Sequence, residues 1–192
     1  MSTPVLHLLA GSNGAGKSTL AEAVLIPRTH LRFVNADVMA EQLWPGDRPE
    51  QSRRAHEVSQ LAAAERERLL GERVSFITET VFSHPSKLDL VRRAQEMGYT
   101  VLLHVVLIPE DLAVERVIDR VTVGGHSVPE DKIRGRYGRL WDLVATARAM
   151  VDRADFYDNT SLDQPFRRIA VYEYGQPVGR PDWPAWTPTP LK

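Results

Sequence analysis

Gly11-Ser12-Asn13-Gly14-Ala15-Gly16-Lys17-Ser18 decides the fold. The octad matches GxxxxGK[ST], the pattern of a loop that wraps phosphate. Its glycines permit positive φ and let the backbone approach an anion closely. Successive N–H groups form a concave nest, and the following helix adds its positive end. Lys17 can reach the β- and γ-phosphates of a nucleotide, and the Ser18 hydroxyl can ligate Mg²⁺. Gly11 to Ser18, with Thr19 beside them, are therefore the expected nucleotide-binding residues. Upstream, Val5 to Ala10 is a short apolar run that reads as a buried strand. Downstream, Lys17 to Leu25 has helical character and is expected to stop near Pro27. The motif alone does not separate a kinase from a GTPase, a motor or a switch.

Working outward, strands and helices alternate. Arg32 to Asp37 (RFVNAD) and Val74 to Thr80 (VSFITET) read as strands that end in acids. Thr100 to Ile108 is the most β-branched, apolar segment and reads as a central strand buried on both faces. Helices are expected over Pro49 to Leu70, Lys87 to Met97, Glu110 to Thr122, and from Pro129 to about Asp152. Pro129 suits a first helical position, with Glu130 and Asp131 in the first turn. Late strands are read at Phe156 to Asn159 and Ile169 to Tyr174. This order predicts an α/β fold: a mostly parallel sheet with helices on both faces. Residues 1–176 form one predicted domain. The tail, 177–192, is proline-rich and reads as an irregular, partly packed extension.

In open α/β sheets, ligands gather at the carboxyl ends of the strands. Asp37 and Glu79 are expected there. A phosphoryl-transfer site needs a carboxylate that orients the acceptor hydroxyl and takes its proton. Asp37 is the candidate base; Glu79, with Thr80 beside it, is the candidate for substrate contact or for support of Mg²⁺. A helix cap or a surface ion pair is the plainer role for each acid. Arg116, Arg120, Arg134, Arg136 and Arg139 surround Val123-Gly124-Gly125-His126-Ser127-Val128. Two helices around a glycine-hinged loop, over about 116–139, fit a lid that closes on phosphate. Arginine binds phosphate oxygens in a fork and stays charged. Arg120 and Arg134 are the favoured phosphate-facing pair, with Arg136 in reserve and His126 able to touch substrate. Solvated helix faces with intrahelical ion pairs account for some of these arginines equally well.

Lys and Arg total 24 against 25 Asp and Glu, for a formal charge of −1. Nucleic-acid-coating proteins carry a basic excess, so that class is disfavoured. The absence of cysteine excludes disulfides and thiolate zinc sites. The N-terminal stretch lacks a basic n-region and a long apolar run, and no segment approaches the ~20 apolar residues of a membrane span. A cytoplasmic protein is expected. His7 and His104 fall within strands and read as core or edge residues. His56-Glu57 lacks the second histidine of HExxH. Ser83 is the simplest cap for the helix that follows it.

GSNGAGKST, FVNAD, SFITETVFS, GYTVLLHVVLI, LAVERVIDRVTVGGHSVPEDKIRGRY and FYDNT together closely resemble the chromosomal branch of the zeta-toxin family, over roughly residues 4 to 175. The resemblance implies a P-loop kinase-like three-layer sandwich with a helical lid, using ATP or GTP with Mg²⁺. It implies phosphorylation of the amino-sugar 3′-hydroxyl of UDP-N-acetylglucosamine, or of a related UDP-sugar. It also implies a small antitoxin partner that occludes the nucleotide site. Lys17 and Ser18 match the family's phosphate loop, Asp37 its base, and Glu79 and Thr80 its substrate-side segment. Arg120 and Arg134 match its phosphate-clamping arginines, and Asp158 and Asn159 lie near the nucleotide base. The chain is shorter than the plasmid toxins and carries NAD where they have a different acid-bearing sequence. A switch protein with slow ATPase, a non-toxic small-molecule kinase and an RNA kinase stay open as alternatives.

Overall fold

Strand β1 (Val5–Gly11) lies inside a seven-stranded sheet and feeds directly into the phosphate-loop motif. The computed structural model describes residues 3–122 and 128–192. The other strands are β2 (Arg32–Val34), β3 (Phe76–Thr80), β4 (Thr100–Leu107), β5 (Arg153–Asp158), β6 (Arg167–Glu173) and β7 (Gln176–Pro177), in the spatial order β2-β3-β1-β4-β5-β6-β7. The pairs from β2 to β5 are parallel, while β6 and β7 join antiparallel. Leu9 therefore faces Glu79 on one side and His104 on the other. Reversal of strand order between β1 and its two neighbours opens a crevice at their carboxyl ends, where the loop sits.

Side chains alternate along each strand and divide the core in two. Leu6, Leu8, Ala10, Phe76, Val101, Leu103 and Val105 pack on one face. The helices there are α5 (Ala55–Gly71), α6 (Ser86–Glu96) and α8 (Glu130–Met150). Leu9, Ile77, Val106 and Ile108 pack on the other face, against α1 (Lys17–Leu20) and α7 (Glu110–Thr122). Phe76 is wholly buried, and truncating such a side chain to alanine costs about 3–5 kcal/mol. Tyr137 of α8 donates its hydroxyl proton to the Ile108 carbonyl at 2.9 Å, which fixes α8 at the end of β4. Burial, reinforced by Glu110, pushes the Tyr137 phenol up to about 12, so that donor persists across the physiological range.

Four sequence expectations are corrected. The helix after the loop does not stop at Pro27. A π-helical turn (Ala21–Leu25) leads into α2 (Ile26–Thr29), where Pro27 sits in the first turn and its missing N–H is no loss. The segment Arg32 to Asp37 is strand only to Val34. Asn35 caps α3 (Ala36–Leu43), accepting from the backbone N–H groups of Asp37 and Val38 at 2.7 and 3.2 Å. Pro49 to Leu70 is two helices, α4 (Arg48–Arg53) and α5, because Arg54 leaves helical geometry. Ser83 does not cap α6; Pro85 takes that position, and His84 Nδ1 pairs with the Ser86 hydroxyl at 2.9 Å.

The tail packs more completely than its composition suggests. Val178 and Asp182 donate backbone N–H groups to Val171 and Ile169 of β6. Trp183 meets Phe156 edge to face at 5.2 Å, and Leu191, in a closing 3₁₀ turn (Thr189–Leu191), is fully buried. Arg148 of α8 stacks on Tyr172 and donates to the Leu191 carbonyl at 2.8 Å. Among the described residues, no helix is long and apolar enough to cross a membrane.

Candidate active site

The loop between β1 and α1 is shaped by close approach. A side chain on Gly11, at φ +149°, would run into the Val106 carbonyl. One on Gly16, at φ +95°, would stand 2.5 Å from Asn159 Nδ2. Both positions therefore demand glycine. Asn159 holds the loop from β5's end: its Nδ2 donates to the Ala15 carbonyl at 2.8 Å, and its Oδ1 accepts from Phe166 N–H at 3.3 Å. Asp158 beside it accepts from the Thr160 hydroxyl at 2.7 Å and pairs with Arg167 at 3.3 Å. Both residues thus serve the protein's own loops in this state.

Ser12 Oγ and Asn13 Oδ1 are buried without a hydrogen-bond partner among the described residues. The buried Lys17 ammonium is folded back onto the Ser12 carbonyl at 2.8 Å. Burial pushes Lys17 below its ordinary range; Glu79 and then Asp37 oppose that shift, and Arg120 adds to it. The same four side chains therefore share one electrostatic field, although they come from α1, β3, α3 and α7.

Ser18 donates its hydroxyl to Glu79 Oε2 at 2.8 Å. The register explains the pairing: Glu79 lies opposite Leu9, on the face that carries α1. A hydroxyl and a carboxylate side by side are oxygen donors of the kind Mg²⁺ takes, alongside phosphate oxygens and water. The residues present thus fit that ion. Asp37 is exposed in the first turn of α3, not at the end of a strand. Asn35 accepts from the Asp37 backbone N–H, and the Asp37 carboxylate acts electrostatically on Lys17. Asn35 Nδ2 is itself buried and unpartnered among the described residues. Thr80 is partly buried, and its hydroxyl accepts from Phe82 N–H at 3.1 Å.

The arginines separate. Arg120, on α7, is exposed and acts electrostatically on Lys17. Arg134, on α8, is held by Asp111 and Glu130 at 2.9 Å each and by Glu110 at 3.8 Å. Arg136 is partly buried on α8. His126 and the loop 123–127 lie outside the described residues. Away from the crevice, His7 Nδ1 and His104 Nε2 are 3.1 Å apart in a stacked, buried pair. Burial, with His7 second, drives His104 down to about 4, so both are neutral packing groups at neutral pH. Sequence reasoning missed Asn35 as a cap, although an asparagine before a helical run is a cap signal. It also missed Asn159 as a brace; that contact spans the chain and leaves no local signal.

A parallel sheet with a phosphate loop at its switch point, capped on both faces by helices, is the fold of P-loop kinases. Within that class, the sequence model of the family described as Zeta toxin matches residues 1–173, and the chain belongs to this family. Comparison with curated protein sequences gives no match. Among solved structures, a chain of the AvrRxo1-ORF1:AvrRxo1-ORF2 complex is similar at TM-score 0.71 and 19% identity, over 92% of this chain and 60% of that one. A further structure of that complex was determined with ATP. The chain thus spans less than two thirds of the length of that relative. The PezAT chromosomal toxin–antitoxin system of Streptococcus pneumoniae is similar at TM-score 0.59 and 15% identity, over 82% and 69% of the two chains. A gluconokinase from Sinorhizobium meliloti 1021 is similar at TM-score 0.53 and 21% identity, over 84% and 86%. At these identities the likeness is one of fold.

Proposed function

We propose that the protein is a kinase that transfers the γ-phosphate of ATP or GTP to a hydroxyl of a small metabolite. The observation that carries this reading is the Ser18–Glu79 hydrogen bond beside Lys17, with Asp37 and Arg120 in the same field. A phosphate loop alone binds; carboxylates across from it provide for transfer. The unpartnered Ser12 hydroxyl and the Lys17 ammonium can donate to phosphate oxygens. Ser18 and Glu79 would hold Mg²⁺, which neutralises charge on the transferring group when bound. Asp37 accepts the acceptor's hydroxyl proton as that oxygen bonds to the γ-phosphorus. The bond from the γ-phosphorus to the bridging oxygen breaks, and the nucleoside diphosphate leaves. Arg120 steadies the equatorial oxygens, and Arg134 joins once it exchanges its carboxylate partners for phosphate.

Family membership supports a UDP-sugar acceptor, such as UDP-N-acetylglucosamine, and a toxin's role with a small helical antitoxin as partner. Near-neutral net charge weighs against an RNA acceptor. The test is Asp37→Ala. Nucleotide affinity is expected to stay within about twofold, while transfer falls by at least ~10². Transfer at the wild-type rate would remove Asp37 from the role of base. ATP hydrolysis with no acceptor labelled at all would replace the kinase by a nucleotide-dependent switch.

A further inference from the structure

A cavity of about 140 Å³ opens on the sheet face covered by α5 and α6. Its walls include Ala36, Arg66, Thr78, Glu79, Thr80 and Lys87. Glu79 is common to this cavity and to the phosphate loop, through its bond to Ser18. Ala36 adjoins Asp37 in the first turn of α3. The cavity therefore borders the candidate site at Glu79 and at the start of α3.

Two of its wall residues are cations. Arg66 and Lys87 are both partly buried, and burial lowers both from their ordinary ranges. The Arg66 charge further lowers Lys87, while the neighbouring Glu67 opposes the lowering of Arg66. Among the described residues neither forms a hydrogen bond or an ion pair. The rest of this surface behaves differently. On the same helix Arg68 is bound by Glu65 and Glu72, and just before it Arg54 is bound by Glu50 and Glu57. Glu67, the carboxylate next to Arg66, is taken by Arg93 at 2.9 Å. Two like charges line a shared cavity with no ion pair to either among the described residues, and Glu67 only partly offsets the burial of Arg66, an arrangement that destabilises the free protein. A bound anion would reverse that penalty.

We propose that Arg66 and Lys87 form a subsite for a phosphate group carried by the acceptor, beside the hydroxyl that Asp37 activates. The inference rests on the kinase reading for its assignment of that phosphate to the acceptor. Whole small-molecule ligands occupy pockets of ~300–1,000 Å³, so this cavity takes one group and its nearest carbons. The shared chemistry has two sources: a sugar monophosphate, or the diphosphate of a nucleotide sugar. Thr78 and Thr80 add hydroxyl-bearing walls, although both hydroxyls already serve the backbone, Thr78 as donor to Val34 and Thr80 as acceptor from Phe82.

The experiment is calorimetric titration of the full chain with ADP and Mg²⁺ in place, so that the phosphate loop is already filled. Glucose 6-phosphate, UDP-N-acetylglucosamine and uncharged N-acetylglucosamine are the probes. One phosphorylated probe is expected to bind at least ~10-fold tighter than the neutral sugar, and which one names the source. Arg66→Gln and Lys87→Gln are each expected to weaken it by about tenfold, with ADP affinity unmoved. Arg66→Lys keeps the charge without the fork and is expected to weaken binding less than Arg66→Gln does. Equal loss in Arg66→Lys and Arg66→Gln assigns the effect to packing and overturns the proposal. So does a phosphorylated probe that binds no better than the neutral sugar, or affinities the Gln variants leave unchanged. Binding is read without transfer, so the two readings fail separately. A phosphate subsite in a protein that labels no acceptor sinks the kinase alone. Transfer whose acceptor KM ignores both Gln variants sinks the subsite alone.

Discussion

The phosphate loop and the α7–α8 arginines are both proposed as phosphate ligands, yet they stand in opposite states. In the loop, Ser12 Oγ and Asn13 Oδ1 are unpartnered among the described residues, and Lys17 is parked on a backbone carbonyl. On α8, Arg134 is already surrounded by three carboxylates. The loop can receive phosphate with little rearrangement, because its backbone is set by Gly11, Gly16 and the Asn159 brace. Arg134 must first give up its partners. Arg120 lies between these extremes: exposed, but already in the electrostatic field of Lys17. In the proposed kinase the difference separates a preorganised half of the site from a half whose arginine must first be released.

Substitutions that sharpen or break this contrast fall in a clear order. Lys17→Ala is expected to cost ~10³ in kcat/KM and to weaken nucleotide binding, since it removes a preset charge. Steady-state kinetics with a nucleotide titration check both. Arg120→Ala is expected to cost about 10² in kcat with little change in nucleotide affinity. Arg134→Ala should cost only about tenfold, because part of the arginine's interaction is spent on Asp111 and Glu130. A larger loss for Arg134→Ala than for Arg120→Ala would invert the contrast. Asn159→Ala removes two hydrogen bonds, one of them buried, and is expected to lower stability by about 1–3 kcal/mol in urea titration. It should also weaken ADP binding, since the loop loses its brace. A stability loss with ADP affinity unchanged would leave Asn159 a packing residue only.

What was legible in the sequence was local. The octad at Gly11–Ser18 announces the loop because its glycines, lysine and serine are contiguous, although the Asn159 brace that holds the loop is distant in the chain. Apolar runs placed β1, β3 and β4 to within two residues, and their alternation with helices implied the parallel sheet. The misreadings arose where one residue decides the geometry. Asn35 accepts from Asp37 N–H and turns the end of a presumed strand into a helix, which moves the candidate base onto α3. Arg54 interrupts a pattern that is helical on both sides. The Ser18–Glu79 bond and the Asn159 brace join residues 61 and 144 positions apart, so only the fold could reveal them. The helical pattern around Arg66 does not distinguish it; what sets it apart is that it makes no hydrogen bond or ion pair among the described residues, and pairing across helices leaves no periodic trace.

The central claim is that this crevice moves phosphate to an acceptor instead of merely holding or hydrolysing a nucleotide. Incubating the protein with γ-labelled ATP, Mg²⁺ and a pooled metabolite extract addresses it directly. The account predicts label in a small phosphorylated metabolite, and its loss in Asp37→Ala. Label appearing only as inorganic phosphate, at the same rate in both proteins, would contradict it.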